Sequence, residues 1–314
     1  MESQVSEAGA QERVVDVNLL QQLEDFFVNA PVGLQITGPT GVVSSTNSGV
    51  AQLLGLDRDH AKGVEFGEHF DKAGEFESVL QRLRAGEIVN NLATRLRRSD
   101  GSTVATLLDA SARFIGAEMI SIRWFVRGDL QSQVPAPAKD VEIIGTMGAN
   151  EDAALWGATL KSVDTESALA AMSPAEQQAR IEELNDFFDN APAGVHFVGF
   201  NGLILRANHA EMSLLGYDKN PTGYLGKHVR DIHANKPTVE DLLRRLVEGE
   251  PVINFKAKLV RQDGEIEPVI IYSGLRLKDG RFENTRCFLF SDNGADADIL
   301  SSEAPVPFSW PRND

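Results

Sequence analysis

The chain has 314 residues and a mass of 34.2 kDa, room for two domains of about 100–150 residues with connecting segments. Hydrophobic residues make up 42%, enough to build buried cores, and 30 Lys and Arg against 46 Asp and Glu leave a formal net charge of −16. That balance argues against a nucleic-acid backbone or an anionic membrane surface as partner. The single cysteine, Cys287, excludes disulfide scaffolds, thiolate zinc sites and iron–sulfur clusters within one chain. No apolar run reaches the ~18 residues of a membrane span. The N-terminus lacks the basic start and apolar core of a signal peptide, so a cytoplasmic protein without membrane insertion is expected.

The dominant feature is an internal repeat. LEDFFVNAPVGLQITGPTGVVSSTNSGVAQLLGL from Leu23 aligns without a gap to LNDFFDNAPAGVHFVGFNGLILRANHAEMSLLGY from Leu184, at a constant offset of 161. A two-residue insertion raises the offset to 163, after which Asp100-Gly101 matches Asp263-Gly264 and Arg123 matches Arg286. A period this long means two similar domains. The expected division is a disordered N-terminus over 1–17, a first unit over 18–128, a partly helical linker over 129–173, a second unit over 174–291, and a flexible acidic tail over 292–314.

Each unit opens with an amphipathic helix, whose apolar stripe is Leu20, Leu23 and Phe27 in the first copy and Ile181, Leu184 and Phe188 in the second. Ser173-Pro174-Ala175-Glu176 is a capping-box start signal. Asn-Ala-Pro ends both helices, because proline disfavours helical geometry in the residue before it. Two short strands follow around Thr40-Gly41 or Asn201-Gly202, then short helical segments, the longest ending just before Gly86 or Gly249. Three β-rich runs close each unit, at 88–98, 103–114 and 119–127 and at 251–261, 266–277 and 282–290. Each unit is therefore expected to be an α+β domain: a five-stranded antiparallel sheet with short helices on one face and a lead-in helix. The linker is expected to be flexible over 129–150, with helix possible around Leu155 and Leu160.

These residues resemble the PAS sensory domain. In the second unit the resemblance is carried by Asn190–Gly194, Asn201–Asn208, the LLGY step Leu214–Tyr217, Leu225-Gly226-Lys227, Leu242–Glu250, Arg261–Val269 and the final strand Thr285–Phe290. It is similar in particular to PAS units found beside bacterial histidine kinases. The first unit departs at Leu56, in place of the tyrosine, and at Ser45-Thr46 before Asn47. The resemblance implies a fold of two PAS-like domains and a non-catalytic role in bacterial signal transduction. No kinase, helix-turn-helix or cyclic-nucleotide signature accompanies the two units, so the output is expected from a signalling partner bound in trans.

The resemblance also defines which cofactor chemistries to test. A flavin photosensor forms its thiol adduct from a cysteine in the helical segment, whereas Cys287 belongs to the last strand; that chemistry is excluded. Covalent haem is excluded by the absence of CxxCH. Non-covalent haem b is disfavoured because neither long helix carries a histidine, although His69, His228 and His233 lie upstream. His196 alternates with Val195 and Phe197 on its strand and is expected to face away from the ligand side, toward the lead-in helix or a dimer partner. Asn208 is expected to cap a helix, and Glu240-Asp241 to be solvated.

Two functional readings stand side by side. In one, a small, mostly apolar ligand fills a pocket lined by Val229, Ile232, His233, Val239, Leu242 and Leu246 and shifts a dimer interface. In the other those residues fill the core, and the domains act as a constitutive adaptor. A homodimer is expected through Leu20, Leu23, Ile181 and Leu184, because an isolated apolar stripe needs a partner. Phe308 and Trp310, between prolines in the acidic tail, are the candidate anchors of a docking peptide, with folding back onto the second domain as the alternative.

Overall fold

A computed structural model describes residues 16–58, 61–128, 169–247, 250, 252–278 and 281–292. Residues 129–168 of the linker, with Leu155 and Leu160, and Phe308 and Trp310 of the tail lie outside them. In chain order the first unit runs α1 (Val17–Val28), β1 (Gly33–Thr37), β2 (Val43–Thr46), α2 (Ser48–Leu54), a 3₁₀ turn at Phe66–His69, α3 (Glu75–Arg84), β3 (Val89–Arg97), β4 (Thr103–Ile115) and β5 (Glu118–Arg127). The second unit runs α4 (Pro174–Asp189), β6 (Gly194–Gly199), β7 (Ile204–Ala207), α5 (His209–Leu214), a 3₁₀ turn at Pro221–Gly223, α6 (Val229–Ile232), α7 (Lys236–Val247), β8 (Val252–Val260), β9 (Ile266–Lys278) and β10 (Arg281–Ser291). Both sheets are antiparallel and share one strand order, β2-β1-β5-β4-β3 and β7-β6-β10-β9-β8.

Local chemistry accounts for the matched ends of these elements. Ser173 caps α4 in a full capping box: its backbone N–H donates to Glu176 Oε2 at 2.7 Å while Glu176 N–H donates back to Ser173 Oγ. Asn208 caps α5, accepting from Glu211 N–H at 3.0 Å, but its side chain also accepts from Val195 N–H and donates to Ala193. Asn47 does the same in the first unit. Each asparagine thus fastens a helix start to the first strand, which a cap alone would not do. Gly202 turns the second hairpin at φ +73°, and a Cβ there would sit 2.4 Å from the His228 ring.

Both faces of each sheet are covered. On one face lie the short helices and each unit's own core: Val50, Leu53, Phe66, Leu83 and Trp124 in the first, Ile204, Leu215, Tyr224, Ile232 and Leu246 in the second. On the other face a third core joins the two units, built from α1, α4, β1, β5, β6, β9 and β10.

This shared core has a pseudo-two-fold axis. Residues related by the repeat touch each other across it: Phe26 and Phe187 with ring centres 6.4 Å apart, Phe125 and Phe288 at 6.1 Å, and Arg127 over the Phe290 ring at 4.0 Å. Off the axis the contacts come in reciprocal pairs. Phe26 stacks on Phe288 of the other unit at 5.6 Å, and Phe187 stacks on Phe125 at 5.4 Å. Asp25 is held by Arg276 at 3.3 Å and Arg286 at 3.0 Å, while its counterpart Asp186 is held by Arg113 at 3.6 Å and by Arg123. Self-contact on an axis with reciprocal contacts off it is the geometry of an isologous interface.

The stripes expected to pair across a homodimer are consumed here. Leu20, Leu23, Ile181 and Leu184 are all buried inside a single chain. The physical demand was read correctly, since the stripes do need covering. Within one chain, the second copy of the motif supplies the cover.

Candidate functional site

The two domain interiors differ most along one row of side chains crossing three strands. Cys287 lies opposite Ser273 on one side and His196 on the other, so all three project from the same face of the sheet. The corresponding row in the first domain is Ala110, Trp124 and Gln35.

His196 points into the second domain's own core, contrary to the expectation that it faces the lead-in helix. Val195 and Phe197 belong to the core shared between domains, whereas Val198, two residues after His196, belongs to the second domain's interior. Alternation put the right residues together on each face; the error lay in which face meets the short helices.

Inside that core His196 Nδ1 donates to Glu211 Oε1 at 2.7 Å, and the Tyr224 hydroxyl donates to the same oxygen. Glu211 is fully buried at the first turn of α5, held there by the Asn208 cap. Cys287 Sγ is 3.0 Å from Ser273 Oγ and 3.8 Å from Thr285 Oγ1. Among the buried polar atoms without a hydrogen-bond partner are His196 Nε2, Glu211 Oε2 and His233 Nδ1 in this interior, and Gln35 Nε2 at the His196 position of the first domain. Buried polar atoms are almost always paired, so three in one interior mark a place built to meet something polar.

The charges follow from this geometry. Burial would lower the His196 pKa, but the Glu211 carboxylate and then the Cys287 sulfur turn the shift well upward. Burial would raise the Cys287 thiol, yet His196 and the hydroxyls of Ser273 and Thr285 bring it below its ordinary value. Tyr224 is pushed well up, by burial and then by Glu211. His233 is lowered to about 4, by burial first and then by repulsion from His196 and Lys236. The interior therefore pairs the Glu211 side chain with an imidazole, His196, that readily takes a proton, beside a thiol, Cys287, that readily gives one and the neutral imidazole of His233.

In the first domain Trp124, Phe70, Val50 and Ala61 occupy the positions of Cys287, His233, Glu211 and Tyr224. Trp124 packs on Phe66 at 5.1 Å and Phe76 at 5.9 Å, with its indole N–H donated to Thr37 Oγ1 at 3.0 Å. An aromatic cluster fills the space.

All six candidate pocket residues, Val229, Ile232, His233, Val239, Leu242 and Leu246, are buried in the second domain, and four of them join its apolar core. Of these only His233 contributes a polar atom to the interior described here. Glu211, Tyr224 and Ser273 were not singled out from the sequence. Their signal was in the repeat: a carboxylate stands where the first copy has Val50, at a helical position aligned without a gap. His69 is bound instead near the surface, Nδ1 to Arg97 O at 2.9 Å, and His228 accepts from Arg230 N–H. Among the described residues no helix is long and apolar enough to cross a membrane, and no group of three or more His, Cys, Asp or Glu side chains is arranged to hold a metal ion.

Two family models match the chain: one described as a PAS domain over residues 31–127, the other as a PAS fold over 188–287. No curated protein matches. Among solved structures, the chain is similar to the PAS domain of an HTR-like protein from Haloarcula marismortui, at 20% identity over 34% of this chain and 89% of that one, with a TM-score of 0.31. It is similar to a domain of a sensory box sensor histidine kinase/response regulator from Geobacter sulfurreducens, at 19% identity over 34% and 91%, TM-score 0.31. An RNA-binding Light-Oxygen-Voltage receptor is matched at 13% identity over 83% of this chain and 95% of that chain, TM-score 0.31.

Proposed function

We propose, from the premise that this chain is a tandem of two PAS domains, that it is a non-catalytic signalling protein in which the second domain senses and the first provides a fixed counterpart. PAS domains are regulatory or sensory modules, and the chain's two copies have taken opposite courses in their interiors. The observation that carries the reading is the set of unpartnered buried atoms on His196, Glu211 and His233, facing an interior whose counterpart is closed by Trp124. A small ligand with both a hydrogen-bond donor and an acceptor complements such a site.

The shared core supplies the relay. Cys287 faces the interior, while its strand neighbours Arg286 and Phe288 face the other domain and hold Asp25 and Phe26 of α1. A ligand that displaces β10 on one face must alter those contacts on the other, which shifts the balance between interface arrangements. A partner protein in trans receives the result.

Mass spectrometry of whatever the freshly purified full chain releases on unfolding tests this reading. A released small molecule, retained less well by Glu211→Gln and equally well by Trp124→Ala, is the expected result. If nothing is released and no compound from a metabolite set raises the melting temperature, the constitutive adaptor is the better description.

A further inference from the structure

We propose that Cys287 is a hydroperoxide-reactive thiol, with His196 as its base and Glu211 as the residue that orients that base. The inference shares the polar interior invoked for sensing but needs no bound ligand.

The arrangement has the parts that an activated thiol requires: a nucleophile, a base facing it, and a third group fixing the base. Glu211 Oε1 accepts from His196 Nδ1, which directs the other ring nitrogen, Nε2, away from the carboxylate. That nitrogen has no hydrogen-bond partner and is buried, and Cys287 is the residue directly opposite on the neighbouring strand. Ser273 and Thr285 place hydroxyls beside the sulfur, where each can donate to a thiolate. Tyr224 supports Glu211 from the other side. Directions of acidity agree: the thiol is lowered and the imidazole raised.

A structural cysteine in an apolar core would have none of this. Trp124, its counterpart, shows what the same position looks like when it only fills space.

The step balances within these groups. The Cys287 proton moves to His196 Nε2, leaving a thiolate beside an imidazolium. The sulfur attacks one oxygen of the hydroperoxide; an S–O bond forms as the O–O bond breaks. The departing oxygen takes the proton from His196 Nε2 and leaves as water or an alcohol. Sulfur loses two electrons and the peroxide gains them, leaving Cys287 as a sulfenic acid. With only 4% of Cys287 exposed, the reactant class is narrow: a neutral oxidant of a few heavy atoms enters by local opening, whereas bulky alkylating reagents do not. Because the chain has one cysteine, no second thiol in it can resolve the product. The new oxygen sits next along β10 from Arg286, so the modification reaches the contacts with Asp25.

The test uses the full chain. It is treated with hydrogen peroxide, the peroxide is removed with catalase, and the protein is then unfolded in dimedone and weighed intact. The expected result is one adduct at Cys287, formed at neutral pH roughly tenfold or more faster than on free cysteine. His196→Gln should slow it by about tenfold and move its pH profile toward that of an ordinary thiol, with Glu211→Gln between the two. The charged and ionisable groups packed around the pair are Glu211 on α5, Tyr224 after it, His233 beyond α6 and Lys236 opening α7. Circular dichroism checks that each variant is folded, and Glu211→Gln decides the matter if His196→Gln is not. A rate no greater than that of free cysteine, or an unchanged profile in the folded variants, overturns the proposal. Either failure leaves the sensing reading standing, since release of a ligand is measured independently.

Discussion

The same strand row reads Ala110, Trp124, Gln35 in one domain and Ser273, Cys287, His196 in the other. The backbone around it barely differs: strand order is identical, and even the rare positive φ of Asn91, +51°, recurs at Asn254. One fold thus tolerates an aromatic filling and a charged polar interior at equivalent positions. The lesson is that the sheet and helix starts specify the architecture, while the row facing the short helices is free to specify chemistry.

The most severe way to break this comparison is to empty the filled side. Trp124→Ala should cost about 3–5 kcal/mol, because it removes a buried indole and leaves a cavity among Phe66, Phe70 and Phe76. Urea unfolding measures it, and a loss below about 1 kcal/mol would show that Trp124 is not the plug.

Converting the polar side toward the apolar one comes next. Glu211→Val installs the first domain's residue but strands the His196 imidazolium and the Tyr224 hydroxyl, a loss of about 3 kcal/mol or more. Adding His196→Gln completes the match to Gln35 and Val50 and removes the uncompensated charge. The double variant should therefore be more stable than Glu211→Val alone. Additive losses in a double-mutant cycle would mean the two side chains act independently.

The smallest effect comes from acid. His233 has a pKa of about 4 against an ordinary 6.5, so the unfolded chain takes up this proton first as the pH falls. The stability it contributes is whole above about pH 6.5 and is lost on the way down to about 4, of order 3 kcal/mol at most. Phe70, its counterpart, cannot titrate. His233→Phe should remove that part of the acid sensitivity, as read from melting temperatures between pH 7 and 4; an unchanged pH slope would mean that burial does not hold His233 neutral.

Much of this fold was legible in the sequence. The repeat, the Ser173 cap, the hairpin glycines and the six long strands were readable because each rests on local chemistry or period. Two kinds of information were not local. Alternation groups His196 apart from Val195 and Phe197, but when both faces are buried it does not say which face meets the helices. The stripes at Leu20 and Leu184 announce that a cover is needed without naming the cover. The polar cluster was partly visible, since comparing the two copies position by position exposes Glu211 against Val50. What no spacing predicts is that Glu211, Tyr224, His196 and Cys287 converge, because they come from four segments brought together only by folding.

The reciprocal pairing of Asp25 with Arg276 and Arg286, and of Asp186 with Arg113 and Arg123, has a consequence for how such a molecule can change. In an assembly of identical subunits every substitution appears twice, so a mutation that opens one cavity opens both, and dilution separates the halves. When both halves lie on one polypeptide, association is intramolecular and holds at any protein concentration. Each half then accumulates its own substitutions while the contact surface stays matched. One half was left free to specialise because the other could keep still.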